Sequence, residues 1–121
     1  MKVFISYTLR DSFVSKEFLI AVSSVVSEFA IPFVDILHNH SDNKQAYVME
    51  QLDSSNIVLL ISTPSIVKSE WVMTEVMYAN KQLIPIISIP LKENGADLSL
   101  EKIKKTLPVE LNKLVHGNIN T

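Results

Sequence analysis

Short apolar runs rich in β-branched residues alternate along this chain with longer stretches in which apolar residues recur every three or four positions. That alternation is the pattern of strands interleaved with helices. Val3 to Tyr7 predicts a first strand, and Asp11 and Ser12 follow as helix-cap candidates. Val14, Phe18, Val22, Val25 and Phe29 then mark one buried face of a helix. A second strand is expected over Ile31 to Ile36. The segment from Leu37 to Lys44 is polar, with Ser41 and Asp42 placed to cap a short helix carried by Ala46, Val48, Met49 and Leu52. Asn56 to Ser62 holds the unbroken run Ile57-Val58-Leu59-Leu60-Ile61. An unbroken run predicts a central strand covered on both faces.

Beyond Thr63 and Pro64, Ser69 is a natural cap for a helix carrying Trp71, Val72, Val76 and Ala79 and ending near Asn80. Leu83 to Ile89 reads as a strand, in which Pro85, lacking an amide donor, argues for an early or edge position and Pro90 for the end. A loop over Lys92 to Asp97 leads to a helix from Leu100 to Leu107, stopped by Pro108. Another helical turn or two is expected over Val109 to Val115, and a last short strand over Asn118 to Thr121. The expected architecture is α/β: a flavodoxin-like three-layer fold with four or five parallel strands in the order 2-1-3-4-5, flanked by helices. Ligands on such sheets bind beyond the carboxyl ends of the strands, here near Ser6 to Asp11, Leu37 to Lys44 and Ser62 to Ser69.

Composition narrows the function classes. The 121 residues suit a single domain over 1–121, which could be the N-terminal part of a longer protein. A net charge of -2 offers no basic excess for a phosphate backbone, so nucleic acid is not an expected partner. The absence of cysteine excludes disulfides, zinc-thiolate sites, iron–sulfur clusters and thiol nucleophiles, and leaves a cytoplasmic setting unopposed. The only glycines, Gly95 and Gly117, come too late for a P-loop or a dinucleotide fingerprint. No apolar run approaches the ~20 residues needed to span a bilayer, so no membrane partner is expected. His38, His40 and Asp42 read as a solvated turn rather than a metal site, and Met49, Met73 and Met77 as packing residues.

Familiar occupants of this fold can be tested by the residues they require. A phosphoacceptor receiver needs an acidic pair after strand one and an aspartate after strand three, where this chain has Ser6-Tyr7-Thr8 and Ser62-Thr63. A flavodoxin needs a glycine- and hydroxyl-rich loop where Thr8-Leu9-Arg10-Asp11 stands. Neither fits.

Val3-Phe4-Ile5-Ser6-Tyr7 with Asp11 resembles the opening strand of Toll/interleukin-1 receptor (TIR) domains, in particular the bacterial type. The block from Ser54 to Pro64, running into Ser69-Glu70-Trp71-Val72-Met73-Thr74-Glu75, is similar to that family's central strand, serine-rich loop and Ser-x-Trp-x-x-x-Glu helix start. Leu83-Ile84-Pro85-Ile86-Ile87 is similar to its next strand, and the three blocks cover nearly the whole chain in order.

The resemblance implies a NAD+ glycohydrolase or cyclase, with NAD+ as substrate and no cofactor, activated by self-association in bacterial antiphage immunity. Glu75 matches the family's essential glutamate, and an i, i+4 spacing puts Trp71 on the same helix face one turn away. Ser6, Tyr7, Thr8, Ser69 and Trp71 are the implied substrate-binding residues, with Asp42 from the loop after strand two. Thr8 stands where some NAD-cleaving members carry arginine, and Val72 where cysteine is frequent. Two other functions are consistent with the fold: a non-catalytic TIR interaction module, and a nucleoside deoxyribosyltransferase-like enzyme using a carboxylate nucleophile. Taken one by one, Glu75 reads as a solvated helix position, Trp71 as a packing ring and Ser69 as a plain cap.

Overall fold

A computed structural model of the protein describes residues 1–116. Four strands, β1 (Lys2–Ser6), β2 (Ile31–Phe33), β3 (Ile57–Ser62) and β4 (Ile86–Pro90), form one parallel sheet in the order β2-β1-β3-β4. The fold is thus the expected α/β, flavodoxin-like three-layer arrangement. The candidate fifth strand, Asn118 to Thr121, lies outside the described residues.

Side chains on successive strand residues point to opposite faces, and this alternation divides the core. Val3 and Ile5 of β1, with Ile57, Leu59 and Ile61 of β3, face α1 (Lys16–Ser27) and a long C-terminal helix, α5 (Ala96–His116). Phe4 and Val58 face the other way, toward α3 (Lys44–Asp53) and α4 (Glu70–Lys81). A short helix, α2 (Asp35–His38), links β2 to α3. Among the described residues no helix is long and apolar enough to cross a membrane. Among the described residues β2 and β4 are the outer strands of the sheet, and both carry proline: Pro32 in β2 and Pro90 at the end of β4.

Several boundaries differ from the sequence expectation, each for a local reason. Ser15, not Asp11 or Ser12, caps α1 by accepting the Phe18 amide at 3.1 Å, while Asp11 accepts the Ser65 amide at 3.3 Å. The buried stripe of α1 is therefore Phe18, Leu19, Val22 and Val26, and Phe29 lies past the helix end, 40% exposed. The second strand stops at Phe33 because the Val34 carbonyl accepts the amides of Leu37 and His38, both at 2.9 Å, turning the chain into α2. Asn43 rather than Ser41 or Asp42 caps α3, accepting the Ala46 amide at 3.2 Å. Ser69 caps α4 as expected, accepting the Val72 amide at 3.3 Å.

The strand expected from Leu83 starts only at Ile86, because residues 82–84 complete the end of α4. The Leu83 amide bonds the Asn80 carbonyl at 3.2 Å and the Ile84 amide bonds the Ala79 carbonyl at 2.8 Å, a Schellman motif with Ile84 packed in the same core cluster as Ala79. Leu83 occupies the left-handed position at φ 59°, where glycine is usual, and is 88% exposed. Pro85 then precedes the ladder and contributes only its carbonyl, which accepts the Val58 amide at 2.9 Å.

Pro108 does not stop the last helix: it lies inside α5, a single helix of 21 residues. Ile103, Leu107 and Leu111 recur every four positions and are all buried, so the apolar stripe spans the proline and outweighs the loss of one backbone hydrogen bond.

Two substitutions test these accounts by urea denaturation. Leu83→Gly should raise stability by about 0.5 to 1 kcal/mol by relieving the left-handed leucine. Pro108→Ala should raise it by about 1 to 3 kcal/mol by restoring an amide donor within α5.

Candidate functional site

The sheet order places β2 and β3 on opposite sides of β1, so the chain leaves the carboxyl end of β1 at a point where neighbouring connections run to opposite faces. A crevice at such a switch point is the expected ligand site of an open parallel sheet. A cleft of about 270 Å³ lies there, bounded by Tyr7, Thr8 and Leu9 after β1, by Asp35 at the start of α2, and by Ser69, Trp71 and Glu75 at the start of α4.

Glu75 is the centre of this site. Val72, Glu75 and Ala79 form the inward stripe of α4, so a carboxyl occupies a place that helix periodicity gives to an apolar side chain. It is 4% exposed, and its Oε1 accepts the Ser6 hydroxyl at 2.7 Å. Burial pushes the Glu75 carboxyl up to about 7, the Ser6 hydrogen bond opposes that shift, and the nearby Asp35 charge adds to it. An ordinary solvated helix glutamate would have none of these features. A buried carboxyl with a perturbed proton affinity at the wall of a cleft marks a functional-site candidate on physical grounds.

Tyr7 is half-buried beside it. Burial raises its phenol to about 12, so the hydroxyl stays protonated at neutral pH. That hydroxyl oxygen accepts the Ile36 amide at 3.0 Å, fastening the end of β1 to α2. Thr8 is buried, and its Oγ1 accepts the Arg10 amide at 3.3 Å. Trp71, 37% exposed, sits one turn before Glu75 and bounds the cleft. Behind the cleft, Asp11 joins the β1 loop to the loop after β3. The buried Thr63 hydroxyl makes no hydrogen bond of normal geometry, yet it lies close enough to help hold the Asp11 carboxyl below its usual range, with Ser65 assisting.

The structure thus brings together Tyr7, Thr8, Ser69, Trp71 and Glu75 from the sequence-derived set. Ser6 stands apart in kind: almost fully buried, it supports Glu75 from within the protein and does not line the cleft. Asp42 is exposed in its loop and does not line the cleft either. Its place is taken by Asp35, which the sequence reading passed over because it assigned residues up to Ile36 to a strand. The available signal was an acid directly after the apolar pair Phe33-Val34, at a strand's carboxyl end.

His38 Nδ1 accepts the Val34 amide at 2.8 Å, giving that imidazole a structural partner. Burial, with the His40 charge, lowers its proton affinity. Among the described residues no group of three or more His, Asp or Glu side chains is placed to hold a metal ion. No family model matches the chain, and no curated protein matches it.

The raised Glu75 carboxyl has a measurable consequence for stability. Between 4.5, its value in an unfolded chain, and about 7, the folded state holds a proton that the unfolded state has released, so this group makes stability fall as pH rises through that window. Glu75→Gln removes the effect. The variant should match the parent below pH 4.5 and exceed it by about 3 kcal/mol at pH 8 in urea denaturation.

Proposed function

We propose that this protein cleaves the bond between nicotinamide and ribose in NAD+, with Glu75 as the catalytic carboxylate. The observation that carries the reading is the Glu75 carboxyl, held by Ser6 at the wall of a cleft that also presents an aromatic ring one helical turn away. The resemblance of the Ser69-to-Glu75 block to the TIR family supports the same assignment.

The chemistry follows from the groups present. As the bond from the ribose anomeric carbon to the ring nitrogen breaks, its electron pair leaves with nicotinamide, which departs neutral and needs no proton. Positive charge grows on the sugar, as in glycoside hydrolysis. The ionised Glu75, itself buried at the wall of the cleft, stabilises that charge, and stabilisation of this kind is worth more in a low-dielectric site than in solution. Trp71 offers a face for the departing ring. Water captures the ribosyl cation to give ADP-ribose and a proton, and capture by an adenine nitrogen would give a cyclised product in its place. Self-association and a role in bacterial antiphage immunity belong to the same reading, on the resemblance alone.

Chromatography of NAD+ incubated with concentrated protein, with and without a crowding agent, provides the test. Nicotinamide release by the parent, with a loss of at least about 100-fold in Glu75→Ala, is the expected result. The co-product distinguishes hydrolysis from cyclisation. Because the ionised carboxyl is the active form, kcat/KM should rise with pH through a midpoint near 7. NAD+ left intact by assembled protein overturns the catalytic reading and favours an interaction module.

A further inference from the structure

A second hollow adjoins the cleft. It measures about 220 Å³ and is bounded by Asp35, Lys44, Gln45, Val48 and Trp71, so Asp35 and Trp71 border both spaces. Small-molecule sites start at roughly 300 Å³, which neither space reaches alone and which the two joined exceed. The charge differs between them. Glu75 is confined to the first lobe and no lysine or arginine lines it, whereas the second is bordered by Lys44.

The position of the Lys44 ammonium is fixed at one buried residue, Asn39. Asn39 uses its side-chain amide to donate to Asp35 Oδ1 at 2.7 Å and to the Lys44 main-chain carbonyl at 3.0 Å, and its main-chain carbonyl accepts Lys44 Nζ at 2.9 Å. Asn39 is 5% exposed, so this clamp sets the spacing between the shared carboxylate and the cation. An ammonium has three donors, and one is engaged here. The others are directed by a held nitrogen rather than a freely swinging one, which lowers the cost of ordering them on a ligand.

We infer that the two hollows are one bipartite site, in which the acidic lobe takes the ribosyl end of the ligand and the second lobe takes its phosphate through Lys44. The inference rests on the reading of Glu75 given above and extends it. The ligand class is a ribosyl phosphate or diphosphate bearing a cationic or neutral ring, and a bare riboside would fill only half of the site.

Trp71 is the sole tryptophan and borders both lobes, so its fluorescence reports binding without any turnover. The full chain in a Glu75→Gln background, with and without Lys44→Gln, is titrated with ADP-ribose, nicotinamide riboside and inorganic pyrophosphate. Lys44→Gln should lower the ratio of ADP-ribose affinity to riboside affinity by about tenfold or more, and should reduce the salt dependence of ADP-ribose binding. Lys44→Arg should restore part of the ratio, and circular dichroism checks that α3 persists. An unchanged ratio overturns the inference, as does a Glu75→Gln chain that binds no phosphorylated ligand. ADP-ribose binding with NAD+ left uncleaved would instead leave this assignment standing and sink the catalytic one.

Discussion

The contact between Glu75 and Ser6 is the point on which the rest of the site depends. It joins the last residue of β1 to the second turn of α4 across 69 positions of chain, and it does so with a carboxyl removed from water. Such a group is costly to bury unless it is hydrogen-bonded, and even then its charged form stays disfavoured. The fold supports it with what surrounds it: Val72 and Ala79 dock the same face of α4 onto the sheet, and Ser69 fixes where that helix begins. A rotation of α4 by one residue would take Glu75 away from β1 and expose Val72.

That arrangement also explains why the cleft is assembled from short, stiff pieces. Tyr7 is anchored to α2 through the Ile36 amide, Asp35 is held by Asn39, and Trp71 rides on the first turn of a capped helix. Each wall of the cleft has its own backbone or side-chain restraint. Little reorganisation is then needed when a ligand enters, which is the condition under which fixed dipoles and charges act most effectively on a developing charge.

Much of this was legible in the sequence, because burial on both faces of a central strand demands an unbroken apolar run and Ile57 to Ile61 supplies it. The cap at Ser69 was equally plain. The misread boundaries have a common origin in interactions between distant residues. Nothing local announces that Asp11 is engaged by the Ser65 amide and so leaves the capping of α1 to Ser15. Nor does local sequence show that Leu83 can be held in a left-handed conformation by the Schellman bonds around it, or that Leu111 is buried and carries α5 past Pro108. At the site, Trp71 and Glu75 were reached through the resemblance of the Ser69-to-Glu75 block to the TIR family, since Glu75 taken by itself reads as a solvated helix position. The apolar pattern missed Asp35 because a strand was extended three residues too far, hiding an acid that only the turn after Phe33 brings to the sheet edge.

The two edge prolines bear on how copies of this chain can meet. An open strand edge offers unpaired amides and carbonyls to any passing strand, and proline blunts that offer by removing a donor. Pro32 lies within β2 and Pro90 closes β4, so each end of the sheet is interrupted in the row of groups that a neighbour would have to match. Growth by joining sheets edge to edge is thereby disfavoured on both sides. Any contact between copies would then fall to helix and loop surfaces, where side chains rather than the backbone choose the partner and where single substitutions suffice to break it.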